Sequence, residues 1–257
     1  MSAIQLTDLT KRYGDHLAVD GLDLTVGRGE VFGFLGPNGA GKSTTINILL
    51  DFIRPSEGTA TVLGYDAQRE PRAVHERLGV LPEGYSLYDR LSGREHLRLA
   101  GRLNGVSVDV ETVLDRVGLT PEDAERPAGT YSTGMGQRLA VGMATVGDPD
   151  LLVLDEPTSG LDPHGVSLLK RLVRAEADRG TTVFFSSHVL DHVEAVCDRV
   201  GILADGRLIA VDTVDGLREA ASTETPDELT LEDVFELYTA GTDAGRQRPA
   251  AVPGGES

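Results

Sequence analysis

The sequence predicts an α/β fold: a mostly parallel sheet with an antiparallel β portion at the N-terminus and an inserted helical portion. Three observations carry that prediction. Val31-Phe32-Gly33-Phe34-Leu35 is a short apolar run, followed by a glycine-rich loop and then by Thr45-Ile46-Asn47-Ile48-Leu49-Leu50, which reads as a helix. Leu151-Leu152-Val153-Leu154 is a second unbroken apolar run, as expected of a central parallel strand. Over residues 84–147, between the two, the pattern changes to amphipathic helices.

Taken in order, residues 4–9 and 22–26 alternate apolar and polar and read as half-buried strands. Between them lies Lys11-Arg12-Tyr13-Gly14, where Tyr13 suits either a core aromatic or a ring stacked on a purine. A turn at 54–58 leads to a strand at 59–63, then a short helix over 71–77 and a strand over 78–82 that ends at Glu83. Ser92-Gly93-Arg94-Glu95 fits a capping box. Leu97, Leu99, Ala100 and Leu103 follow at near-helical spacing, residues 106–117 form a second amphipathic segment closed by Gly118, and 134–146 a third.

Asp162 is placed to cap a helix with Pro163 at its first position; Leu168, Leu169, Leu172 and Val173 give its buried face and Gly180 its end. Residues 181–186 form a strand reaching His188, and Asp205-Gly206 is the turn of a hairpin. Two short helices are predicted near 214–220 and 231–238, and the composition of 241–257 predicts disorder.

The chain has 257 residues, with 24 Lys and Arg against 41 Asp and Glu, a formal net charge of −17. Lysine occurs only at 11, 42 and 170. Such a balance argues against a nucleic-acid surface, which needs basic stripes. The acids are spread along the chain, which favours a solvated surface suited to high salt over one basic partner, and resembles proteins of salt-loving archaea. Cys197 is the single cysteine, read as a small core filler on a helix and fitting a reducing compartment. No signal-peptide pattern and no apolar run near 18 residues are seen, so direct membrane insertion is not expected.

Residues 36–44, Gly36-Pro37-Asn38-Gly39-Ala40-Gly41-Lys42-Ser43-Thr44, match G-x-x-x-x-G-K-[ST] in full. Glycines let the backbone come close to a ligand so that N–H groups cradle phosphates, Lys42 adds a charge, and the Ser43 hydroxyl suits Mg²⁺. The strand before and the helix after are what such a phosphate loop requires, and they point to a P-loop NTPase core. Asp155, closing the second apolar run, is the second candidate Mg²⁺ ligand, and Glu156 a candidate general base for attacking water. His188 ends the next strand, where it can hydrogen-bond a γ-phosphate.

With these motifs in place the chain resembles the ATP-binding cassette ATPases, the nucleotide-binding subunits of membrane transporters, over about residues 4–211. Glu83 stands where that family has the glutamine of its glutamine loop, and Tyr131-Ser132-Thr133-Gly134-Met135 where it has Leu-Ser-Gly-Gly-Gln. Ser159-Gly160-Leu161-Asp162 resembles the loop coupling the two sites, His188 the switch histidine, and Tyr13 the aromatic on adenine.

The resemblance implies one ATPase domain over 1–240, with a helical subdomain at 84–147 and a small extension at 212–240. It implies ATP and Mg²⁺, the ion held by Ser43, Asp155 and Glu83. It also implies a head-to-tail homodimer in which Ser132 and Gly134 address the partner's ATP. A multi-spanning membrane permease would dock near Tyr85, Leu87, Tyr88 and Leu91, on the inner, cytoplasmic face of the membrane. Thr230-Leu231-Glu232-Asp233-Val234-Phe235 resembles the tail of drug- and antibiotic-export subunits; a subgroup linked to copper-enzyme maturation is similar. The alternative is a soluble cassette ATPase acting on DNA or ribosomes, which usually carries coiled-coil inserts, a second cassette or basic arms.

Overall fold

The chain opens with two long strands, β1 (Ser2–Tyr13) and β2 (His16–Gly27), paired antiparallel from Ser2↔Gly27 to Tyr13↔His16. They outrun the alternation seen in sequence because register shifts between Leu6 and Lys11 absorb the residues that break it. The computed structural model describes residues 1–194, 196–222 and 230–240; the tail expected to be disordered, 241–257, lies outside them.

Next come β3 (Val31–Leu35), α1 (Lys42–Leu49), β4 (Glu57–Val62), β5 (Tyr65–Asp66), α2 (Pro71–His75) and β6 (Leu78–Leu81). The helical stretch follows: α3 (Gly93–Asn104), α4 (Val110–Val117), α5 (Pro121–Glu125), a 3-10 turn over Ala128–Thr130, and α6 (Thr133–Ala144). β7 (Leu151–Asp155), α7 (Pro163–Asp178), β8 (Thr182–Ser187) and α8 (Leu190–Glu194) return to alternation of strand and helix. β9 (Arg199–Ala204) and β10 (Arg207–Asp212) form the expected hairpin, with Asp205 at φ 49° and Gly206 at φ 76° in its turn. α9 (Val214–Ser222) and α10 (Leu231–Ala240) end the described chain.

The strands form two sheets. One is four-stranded, in the order β2-β1-β4-β5; the other is six-stranded, in the order β10-β9-β3-β8-β7-β6. In the second, every pairing is parallel except β9 with β10. All residues of β3, β7 and β8 are buried. Their successive side chains serve different cores: Leu151, Val153 and Phe184 join the residues under the first sheet and α1, whereas Leu152, Leu154 and Phe185 join those under the helices. A strand covered on both faces has no polar side to show, hence the unbroken apolar runs.

The capping box holds: Ser92 Oγ accepts from the Glu95 amide at 3.3 Å and Glu95 Oε2 from the Ser92 amide at 2.7 Å. α4 starts later than 106, because Asp109 takes the cap and accepts from the Thr112 amide at 3.3 Å. Leu103 is 77 % exposed, and the fully buried His96 holds a place on the packed face of α3 beside Leu97 and Ala100. Its ring is satisfied there by the Ser92 carbonyl at 2.9 Å and the Tyr88 amide at 3.0 Å. Cys197 is buried but lies between α8 and β9, not on a helix; a Cβ on Gly33 would sit 2.9 Å from its sulfur. Among the described residues no helix is long and apolar enough to cross a membrane.

Candidate functional site

β8 lies between β3 and β7, with Leu35 opposite Ser187 and Asp155 opposite Ser186. Whatever follows these three strands is therefore gathered at one edge of the sheet. Those segments are the loop after β3, the Asp155-Glu156 turn after β7, and His188 after β8.

The loop's glycines have two causes. A Cβ on Gly36 would lie 2.4 Å from the Leu203 carbonyl oxygen, and one on Gly41, at φ 106°, 2.5 Å from that of Ala18. Gly39, at φ 83°, would meet nothing, so its requirement is conformational. Packing against the chain's own carbonyls thus accounts for two of these glycines, a reason close approach to a ligand does not supply. Pro37, Asn38 and Gly39 are exposed and Ala40 is buried; the turn closes through the Ala40 amide to the Pro37 carbonyl at 3.2 Å.

Lys42 is the first residue of α1 and is 5 % exposed. Its ammonium donates to the carbonyls of Gly36 at 2.7 Å and Pro37 at 3.3 Å, and lies 3.3 Å from Glu156 Oε1. Ser43 and Thr44, partly buried, complete the first turn, where helical amides and dipole favour an anion.

The two carboxylates are held by one hydroxyl. Ser186 Oγ donates to Asp155 Oδ1 at 2.5 Å and accepts from the Glu156 amide at 2.9 Å. Glu156 sits at φ 48°, a left-handed conformation that costs a residue with a Cβ about 1–3 kcal/mol. Its Oε2 lies 2.8 Å from His188 Nδ1. Its Oε1 is buried at ion-pair distance from Lys42 yet has no partner of hydrogen-bond geometry. That combination, one oxygen bonded to the imidazole and the other held only by the Lys42 charge, suits a carboxylate that accepts a proton from a third group once Lys42 turns to a phosphate. Burial pushes the Asp155 carboxyl above the usual range; Ser186 and Lys42 oppose the rise, and the negative charges of Glu83 and Glu156 add to it.

Glu83, exposed after β6, lines a cleft of about 550 Å³ together with Tyr85, Ser132, Gln137, Asp155 and Glu156. Ser132 caps α6, its Oγ accepting from the Met135 amide at 3.3 Å. A Cβ on Gly134 would meet nothing within 4 Å, so the space over that residue is open. Tyr13 joins none of these contacts: it is 48 % exposed, with the Lys11 ammonium 4.9 Å from its ring centroid, which excludes the core reading.

Among the described residues no three His, Cys, Asp or Glu side chains are assembled to hold a metal. The oxygens of Ser43, Asp155 and Glu83 are nonetheless hard donors that fit Mg²⁺, an ion that keeps much of its shell for phosphate and water.

A family model described as ABC transporter matches residues 19–159. The bacitracin transport ATP-binding protein BcrA of Bacillus licheniformis is 39% identical over 219 residues, 84% of this chain and 71% of its own. The chain belongs to the ABC transporter family. It is an ATPase of that family, the ATP-binding subunit. The daunorubicin/doxorubicin resistance ATP-binding protein DrrA of Streptomyces peucetius is 43% identical over 223 residues, 85% of this chain and 67% of its own. A solved structure of an ATP-binding subunit of an ABC transporter superimposes with a TM-score of 0.81 at 28% identity, covering 92% of this chain and 99% of that one.

Two residues of this cassette carried no signal that sequence reasoning used. Ser186 lies inside an apolar strand, and only the pairing of β8 with β7 reveals what it bonds. Gln137, 6 % exposed on α6, donates from Nε2 to the Pro157 carbonyl at 2.6 Å, tying the helix capped by Ser132 to the Asp155-Glu156 turn.

Proposed function

We propose that two copies of this chain bind two Mg·ATP head to tail, close, hydrolyse and reopen, and that a membrane permease uses the motion for export. The observation that carries the catalytic part is Glu156: a buried carboxylate with one oxygen tethered to His188 and the other ion-paired with Lys42 but without a hydrogen bond. In this reading Tyr13 stacks on adenine, residues 36–44 hold the phosphates, and Lys42 leaves its own loop carbonyls for the β- and γ-phosphates. Bound Mg²⁺ would neutralise developing phosphate charge, held by Ser43 and Asp155 with Glu83 at its rim. Glu156 orients the attacking water and takes its proton, and His188 holds Glu156 in place and senses the γ-phosphate. Ser132 and Gly134 face the ATP of the second subunit, with their amides and hydroxyl at the start of α6.

Because closure adds contacts only while the γ-phosphate is present, hydrolysis returns the pair to the open state. Residues 84–147 act as a lobe that carries the signature, 212–240 as a small extension, and the subunit works at the inner face of the membrane. Tyr85 and Leu87 are partly buried against the core, which leaves Tyr88, 64 % exposed, as the apolar group most available for the permease. Export rests on the relatives named for bacitracin transport and daunorubicin/doxorubicin resistance. The test is recovery of tagged Glu156→Gln protein from detergent-solubilised membranes of its host, with Mg·ATP. A stoichiometric multi-spanning partner is expected; recovery with ribosomes or DNA instead would overturn the transport reading.

A further inference from the structure

Tyr131 stands immediately before the cap of α6, yet it is built into the start of α3. Its hydroxyl donates to the Asp123 carbonyl, in α5, at 2.8 Å. A Cβ on Gly93, the first residue of α3, would lie 2.6 Å from the phenol oxygen. Gly93 has no left-handed conformation, and the phenol oxygen is the one atom a Cβ there would overlap. Burial pushes the Tyr131 phenol above its ordinary range.

The backbone around Tyr131 is tied in the same direction. The Ala128 amide donates to the Leu91 carbonyl at 2.8 Å and the Gly129 amide to the Asp89 carbonyl at 3.0 Å. Ser92 and Pro127 form an isolated antiparallel bridge. Tyr131 and Ser132 are both extended, with φ −75° and −66°, so no helical ladder runs across the junction between the 3-10 turn and α6. Such a junction depends on side-chain anchors, and the Tyr131 hydroxyl supplies one.

We propose that Tyr131 is a positioning residue for the signature: its hydroxyl, bonded to the Asp123 carbonyl and packed on Gly93, sets where Ser132 and Gly134 stand relative to the start of α3. This rests on the reading of Ser132 and Gly134 as the groups that meet the partner's ATP. The anchor acts on closure between subunits and not on ATP binding by one subunit, because Tyr131 is no part of the phosphate loop.

The test uses the full chain carrying Glu156→Gln, so that closed dimers accumulate. Light scattering gives the ATP concentration for half-maximal dimer, a fluorescent ATP analogue gives affinity in dilute monomer, and thermal melting reports the fold. Tyr131→Phe, which removes one hydrogen bond, is expected to raise the ATP requirement for dimerisation about three- to tenfold. Monomer affinity should stay unchanged. Gly93→Ala should raise the requirement in the Tyr131 chain but add nothing to Tyr131→Phe, since the clash disappears with the hydroxyl.

An unchanged requirement in Tyr131→Phe, with Ser132→Ala raising it, overturns the role of Tyr131 and leaves the signature reading standing. Strict additivity of Gly93→Ala and Tyr131→Phe overturns it equally. Should Ser132→Ala also change nothing, the signature reading falls and this inference with it. If Gly93→Ala does not fold, Tyr131→Phe against Ser132→Ala decides alone.

Discussion

One buried hydroxyl, that of Ser186, holds Asp155 by its side chain and Glu156 by its amide. Replacing it with alanine strands a buried carboxylate oxygen and a buried amide together. Ser186→Ala is expected to lower unfolding free energy by about 1–3 kcal/mol, read by denaturant titration, and to slow hydrolysis. Glu156→Gln keeps the shape of the site but loses the base, so hydrolysis should fall at least about 100-fold while ATP binding persists. Hydrolysis at the unmodified rate would remove Glu156 from its assigned role. Burial pushes the Cys197 thiol far above its ordinary value, so it stays protonated at pH 8. A thiol reagent should therefore label the native chain far more slowly than the unfolded one. The residues legible in sequence were those whose chemistry is local: a contiguous phosphate loop, an Asp-Glu pair, a histidine at a strand end. Ser186, Gln137 and the Tyr131–Gly93 contact are defined by partners distant in sequence, which spacing does not encode.

At the scale of elements, the helical stretch is secured by carboxylates in contact with caps and arginines. Glu95 and Asp109 are held below their usual range by hydrogen bonds from Ser92 and Thr112, and Glu111 by Arg94. A lowered carboxyl contributes stability that is present above its unfolded value and lost as pH falls through its folded one. Acidification through pH 4 should therefore loosen α3–α4 before the central strands. Hydrogen exchange of the amides over 92–117 checks this: they should speed up ahead of those over 151–155, and the reverse order would contradict it. Capping residues and apolar runs made most elements readable in advance. The ends were less so where a cap overrode an amphipathic pattern, as Asp109 does for α4. His96 in place of Leu103 on the buried face of α3 escaped the reading because a histidine satisfied by two backbone groups behaves as a core residue.

For the whole molecule, the parallel sheet brings three separate motifs to one edge, and that juxtaposition was inferable from their order along the chain. The long β1–β2 hairpin and the split into two cores were not, because each depends on register and on which face of a strand is covered. A net charge of −17 adds a global term. Screening shortens to about 3 Å at 1 M salt, so the melting temperature should rise as potassium chloride goes from 0.1 M to 1 M. A flat or falling curve would mean that self-repulsion is not a significant cost. The central claim is that ATP joins two copies of this chain across their phosphate loops and signatures. Light scattering of Glu156→Gln protein with saturating Mg·ATP tests it most directly. The expected mass is twice the 27.3 kDa of one chain with ATP, reverting to one chain with ADP. A single-chain mass under conditions where ATP is demonstrably bound would contradict the claim.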